Sequence, residues 1–421
     1  MTNAHKDSLF VLVKSLSKSE KRQFKLYVGR LGVNTDAKFL ALFNLLDKIK
    51  HYDEKIILES GIVKKAQLSN LKAHLYKQIL VSLRLNPVNQ NIRVQIREQL
   101  DFATILYQKG LYKQSLKILD KVKTTAIENE EKNIAYEIVE LEKVIETQFI
   151  TRSIPDRANE LAVQAKELSG HNVMTSKLSN LSLQLYGMML KVGYVRSDED
   201  YQKVKTYFND HLPLYNIEDL GFREKLWLYK AYLWYSFLTQ DFLSCYKYAS
   251  KWVDLFYEHK DMIYLNPVFF LKGNHYLLES LFYVQYSSQF KEVLERLENT
   301  IKEKEFPDND NINSLVFMYI NANKLNLHFL EGTFEKGLYL VKIIEYGINK
   351  HRDRIDVHHV MVLYYKIACL YFGVGDNKTC IQYLKKIIEN KNLKMREDLM
   401  CFARVLSLVA HYEAGMDYHL E

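Results

Sequence analysis

Proline and glycine are scarce in this chain of 421 residues, which holds five prolines and fifteen glycines. Average usage would supply about 20 and about 30. Both residues weaken helix interiors, so their shortage fits long helices with short connections. It argues against a β-sandwich or barrel, which needs frequent turn chemistry. Cysteine is also sparse: Cys245, Cys369, Cys380 and Cys401, with no C-x-x-C pair. All four sit in apolar, helix-like surroundings and read as buried free thiols of a reducing compartment, not as a disulfide framework. The opening "MTNAHKDSLFVLVKSLSKSE" has an apolar run of only a few residues and no small-residue cleavage site, so it does not read as a signal peptide. No uncharged stretch approaches the roughly 20 residues of a membrane span. The expected location is cytoplasmic.

Signatures of chemistry are lacking as well. "GVGDNKT" (373–379) fails the G-x-x-x-x-G-K-[ST] spacing of a phosphate loop, and no strand pattern precedes it. His358 and His359 are adjacent, hence about 100° apart on a helix, a poor arrangement for sharing a metal. No H-E-x-x-H motif, Cys/His cluster, nucleophile elbow or glycine-rich cofactor loop occurs. The acid pairs Glu130–Glu131 and Glu303–Glu305 read as exposed charges. The expectation is a protein without cofactor or metal that is not an enzyme.

What is present begins with charge. The net charge is +7, yet residues 1–98 alone carry 18 Lys+Arg against 8 Asp+Glu. All the excess positive charge therefore lies in the first quarter, and the remainder is slightly acidic. Such asymmetry points to two parts with different partners. The chain as a whole is 48% hydrophobic and 26% charged, which is ample material for a core.

A pattern recurs in the longer part. In "FATILYQKGLYKQSLKIL" (102–119), Ala103, Leu106, Gly110, Ser115, Leu116 and Leu119 fall at the same offsets as Ala368, Tyr371, Gly375, Cys380, Ile381 and Leu384. Gly332, Phe334, Gly337, Leu338 and Val341 repeat it, Gly415 restarts it, and weaker copies centre on Gln240–Phe242 and Ser288–Phe290. The physics is that of a helical hairpin. The glycine tolerates a positive φ at the turn. A small residue five positions later sits where the two helices cross. One hairpin cannot bury its own apolar face, so neighbours must stack.

These offsets resemble the tetratricopeptide repeat family over roughly residues 95–421, most clearly at Gly110, Gly332 and Gly375. The family's period is about 34 residues, whereas Gly332 and Gly375 stand 43 apart, so helices or connections here are longer. The resemblance implies a right-handed α-solenoid of helical hairpins that binds a protein or peptide. It places Asn323, Asn326 and Lys366 on groove-facing helix positions. The last hairpin, at "AGMDYHLE", would lack its second helix, leaving the array without a final capping helix. Aromatic residues crowd "LWLYKAYLWYSF" (226–237) and "FFLKGNHYLLESLFYVQY" (269–286). They fit either packing between repeats or the lining of a peptide groove.

Residues 1–90 read as four or five basic helices. One helix runs continuously from Asp7 to Gly29, or Ser17 and Glu20 form a capping box and it restarts there. Lys14, Lys18, Lys21, Arg22 and Lys25 share roughly one face of it. A further helix starts at the N-cap Asp36. Another carries Leu68, Leu71, Leu75, Ile79 and Leu83 on one face and stops before Pro87. "EKIILESGIVKKAQLSNLKAHLY" has the outline of a helix-turn-helix. In it Gln67, Ser69, Asn70 and Lys72 would face base edges, with Lys64 and Lys65 on phosphates. Clustered cations of this kind are either a solvated surface or a site for an acidic partner, nucleic acid first.

The sequence therefore predicts an all-α protein: a basic helical N-terminal region (1–90) followed by a helical repeat array (91–421). The expected function is a non-catalytic protein- or peptide-binding scaffold or adaptor. The alternative is a nucleic-acid-binding regulator with a partner-sensing array. No membrane partner is expected, and nothing in the sequence fixes the oligomeric state.

Overall fold

The computed structural model describes residues 7–30, 37–86, 91–149, 156–390 and 397–415. Among them the regular structure is helical and no strand occurs, as the shortage of turn residues predicts. The chain divides into two compact units, Met1–Ile118 and Leu119–Glu421.

The first unit contains α1 (Ser8–Ser15), α2 (Lys18–Arg30), α3 (Ala37–Lys48), α4 (Glu54–Glu59), α5 (Lys65–Arg84) and α6 (Ile92–Gln108). The restart at Ser17 holds: the Glu20 amide donates to Ser17 Oγ at 3.2 Å, and the Ser17 amide donates to Glu20 Oε2 at 2.8 Å. This reciprocal cap satisfies two amide donors that a fresh helix start leaves open. Leu16 meanwhile takes an extended conformation that breaks the first helix. The N-cap expected at Asp36 and the stop at Pro87 lie outside the described residues. α1, α2 and α3 all pack on α5. Their core joins Phe24, Phe39 and Phe43 to Leu9, Val13, Ile57, Leu75 and Ile79, all buried. Leu68 is buried with them, whereas Leu71 and Leu83 of the same face are half-buried.

The division between units falls inside α7 (Tyr112–Glu128). The second unit continues with α8 (Lys132–Gln148), α9 (Arg157–Val192), α10 (Asp198–His211), α11 (Phe222–Leu238), α12 (Phe242–Glu258) and α13 (Asp261–Leu265). Then follow α14 (Pro267–Tyr283), α15 (Ser287–Ile301), α16 (Asp310–Leu330), α17 (Phe334–Gly337), α18 (Tyr339–Lys350), α19 (Val357–Val374), α20 (Asn377–Ile388) and α21 (Glu397–Glu413). α9 is a single helix of 36 residues and departs from the hairpin length found later in the chain. From α11 onward both helices of each hairpin take part in stacking. The second helix of a hairpin packs on the next hairpin's first helix, as α12 on α14, α15 on α16 and α20 on α21, and first helices also meet one another, as α14 with α16 and α16 with α19.

Each hairpin turns on one residue with positive φ: Gly110 (71°), Gln240 (59°), Gln285 (59°), Gly332 (64°) and Gly375 (86°). The turn of the α14–α15 hairpin thus sits at Gln285, before the Ser288 position that the sequence pattern suggests. Five residues after each turn, Ser115, Cys245, Phe290 and Cys380 are fully buried and Gly337 is buried. Ser115 Oγ donates to the Ala103 carbonyl at 2.8 Å across the crossing. A Cβ on Gly337 would approach Leu370 Cδ1 to 2.9 Å. Phe290 breaks the small-residue rule, which leaves its hairpin a weak match to the others in sequence.

Other expectations need correction. Cys401 is exposed and Cys369 only half-buried, although all four thiols are free. Glu131 is not a loose surface charge: it is buried and pairs with Arg223 at 2.7 Å. Glu303 and Glu305 are exposed as expected, and Glu303 accepts from the Tyr264 hydroxyl at 2.7 Å. The crowded aromatics divide into two groups. Trp234, Phe237 and Phe270 are buried, and Trp252 of α12 lies against Gly273, where no Cβ fits. Trp227, Phe269 and Phe282 keep part of their surface open. By length and composition α19 is apolar enough to cross a membrane. It nevertheless carries Lys366 near its centre, bonded to Asn326.

The turn geometry makes a paired prediction. Open space surrounds Gly375, so only its backbone conformation resists a side chain. Gly375→Ala should destabilise the protein by about 1 kcal/mol, the left-handed cost less the gain from a stiffer unfolded chain. Gln285→Gly should be neutral or stabilising by a few tenths of a kcal/mol. Urea unfolding of both variants checks this, and equal losses would contradict the assignment of these residues as turn pivots.

Candidate functional site

Two surfaces collect the groups singled out in the sequence. On the first unit, Lys18, Arg22 and Lys25 border a shallow recess with Lys21 and Leu26. Not all of the cationic face is free. Lys14 donates to the Asp47 carbonyl at 2.7 Å and Lys21 pairs with the Asp47 carboxylate at 2.8 Å, so both tie α1 and α2 to the end of α3. Lys72 binds the Asp7 carboxylate and the Tyr52 hydroxyl. Burial opposes its charge, but these two partners outweigh it and raise its pKa. Lys72 therefore holds the start of α1 to α5 instead of facing outward. Lys64, Lys65, Gln67, Ser69 and Asn70 are all exposed at the start of α5.

The second surface lies on the first helices of the hairpins. Lys272, His275 and Glu279 stand at i, i+3 and i+7 on α14, and Tyr319, Asn323 and Asn326 at i, i+4 and i+7 on α16, so each set shares one helix face. Lys366 Nζ donates to Asn326 Oδ1 at 2.6 Å. The Asn326 amide reaches Asn323 Oδ1 at 3.5 Å. The Asn323 amide donates to the Tyr319 carbonyl at 2.8 Å and lies 3.3 Å from His275 Nδ1. Since Asn323 Nδ2 is a donor, His275 Nδ1 accepts and its proton sits on Nε2, 3.8 Å from Glu279 Oε2. The imidazole stacks on Tyr319 with centroids 4.5 Å apart.

This geometry revises the groove positions. Asn323 and Asn326 are buried, at 0% and 3% exposure. They form the floor that orients Lys366, and the lysine alone of the three reaches the surface. Burial lowers the Lys366 pKa, with Glu279 acting against the shift. Burial also pushes His275 down to about 3, helped by the charges of Lys366, His359 and Lys272. His275 is thus neutral near pH 7 and serves as a hydrogen-bonding surface.

The strip extends to α11. Lys230 Nζ lies 4.4 Å from the Trp227 ring centroid and 5.7 Å from that of Phe269. These two rings meet edge to face at 5.4 Å. Beyond it, Phe282, Tyr283, Gln285, Phe329 and Leu330 line a shallow recess at the turn ends of α14 and α16. Sequence reasoning missed Lys230, Lys272, His275 and Glu279. The signal was there: single polar residues at helical spacing inside otherwise apolar helices.

Among the described residues no group of His, Cys, Asp and Glu could hold a metal. A comparison with protein-family models found no match, and a search of curated proteins found no relative.

The depressed His275 pKa has a testable consequence. Unfolded His275 takes up a proton near its ordinary value of 6.5, while the folded residue resists until about 3. Stability contributed by the neutral imidazole is therefore present above pH 6.5 and lost as the pH falls toward 3. His275→Gln should lessen the fall in melting temperature between about pH 7 and about pH 5. An identical fall in both proteins would contradict this role.

Proposed function

We propose that the second unit is a right-handed superhelical array of tetratricopeptide-like hairpins, and that the chain is a non-catalytic cytoplasmic scaffold or adaptor. It binds a protein or peptide along the first helices of the hairpins. The observation that carries this reading is the strip of half-open cations and rings on α11, α14, α16 and α19, resting on a floor of satisfied amides. Rings such as Phe282 and Tyr283 supply contact area at small entropic cost, and a positioned lysine orients a partner's polar groups. The repeated positive-φ turn supports the array reading, since it gives successive hairpins one geometry.

A second reading rests on the first unit. Lys64 and Lys65 stand exposed beside Gln67, Ser69 and Asn70. That arrangement suits a helix-turn-helix-like nucleic-acid reader, with phosphates on the lysines and base edges on the amides.

One set of variants separates the readings. Peptides selected by the full chain from a random library should lose binding on Lys272→Glu with Lys366→Glu. They should be unaffected by reversing Lys18, Arg22, Lys25 and Lys65 to Glu. Loss only with the second set would overturn the scaffold reading. In the nucleic-acid reading, reversing those four residues weakens duplex binding and flattens its dependence on salt. Filter binding across salt concentrations measures that slope.

A further inference from the structure

Among the described residues, two lysines of α11 and α14 are without a counter-ion, and one of them lies over the Trp227–Phe269 pair. Lys230 and Lys272 are half-buried on α11 and α14, and neither forms an ion pair with a described residue. They are close enough that the charge of Lys272 disfavours that of Lys230. Burial, then Lys272, lowers the Lys230 pKa to about 8. Two cations are thus held partly out of water near aromatic rings, and the ring faces beside Lys230 offset only part of that cost. A negative charge between them would relieve the burial and the repulsion together.

We propose that the surface between Trp227 and Lys230 of α11 and Phe269 and Lys272 of α14 binds an acidic peptide segment of the partner. A glutamate or aspartate carboxylate lies between the two ammonium groups, and a neighbouring apolar side chain lies against the Trp227–Phe269 pair. This proposal rests on the reading of the second unit as a peptide-binding array. Charge complementarity decides the occupant. The cationic strip is interrupted: Glu279 follows Lys272 and His275 on the same face of α14, before Lys366 is reached. A nucleic-acid backbone carries phosphates at close, regular spacing and would set one against Glu279. Separate carboxylates on a peptide, spaced by apolar residues, meet the lysines and leave Glu279 unopposed by another anion. A single positive pair flanked by rings suits that partner better than a polyanion.

The test uses the full chain and three labelled probes: a decapeptide alternating Glu and Leu, its Gln–Leu counterpart, and a short oligothymidylate. Fluorescence anisotropy reads each affinity. The Glu–Leu peptide should bind about tenfold tighter than the Gln–Leu peptide, and Lys230→Gln with Lys272→Gln should abolish that preference. Lys272→Gln alone serves if the double variant melts early. Equal binding of the two peptides would overturn the acidic preference while leaving the peptide-binding array intact. If neither peptide binds, and the random library also yields none, the array reading fails together with this proposal. Oligothymidylate binding that the double variant loses would overturn the proposal in favour of nucleic acid.

Discussion

A helix pressed between neighbours on both flanks has only one narrow face left for polar groups. That constraint governs the second unit. α14 lies against α12, α15 and α16, and α16 against α14, α15, α18 and α19. The residues on their remaining faces are drawn close together, and some are covered completely. Asn323 and Asn326 are the result: buried amides whose hydrogen bonds must come from within the strip. They find Tyr319, His275 and Lys366. A buried amide left unpaired would cost about 1–3 kcal/mol, so the network fixes where Lys366 points. The same crowding keeps His275 neutral; Lys230 and Lys272, also half-buried, form no ion pair with a described residue.

The first unit solves a different problem. Its first four helices run only 6 to 13 residues, and small cores are marginal. Several of its cations are used to fasten helices together. Lys14 and Lys21 converge on Asp47 near the C-terminus of α3, where a helix end favours positive charge. Lys72 anchors Asp7 and Tyr52. The surplus positive charge is therefore divided between structure and surface. The second share, with Lys64 and Lys65 at the start of α5 and Lys18, Arg22 and Lys25 around the recess, stays exposed.

The all-helical class was legible because scarce proline and glycine and 3.6-residue periodicity act locally. The capping box at Ser17 and Glu20 was legible for the same reason: its two hydrogen bonds join residues one turn apart. The turns at Gly110, Gly332 and Gly375 were visible because glycine marks positive φ. Gln285 was not, since glutamine rarely takes that conformation and nothing in its identity announces it. The strip itself was the least legible. His275, Lys272 and Lys230 gain meaning from neighbours on other helices, far away in the chain, and periodicity within one helix says only which residues share a face. The burial of Asn323 and Asn326 likewise depends on α14 and α19 closing over α16.

Hydrogen exchange of the full chain, with and without a peptide selected from a random library, tests the central claim most directly. Slowed exchange in α11, α14, α16 and α19 is the expected result. Slowed exchange confined to α1–α5, with the second unit unchanged, would contradict it.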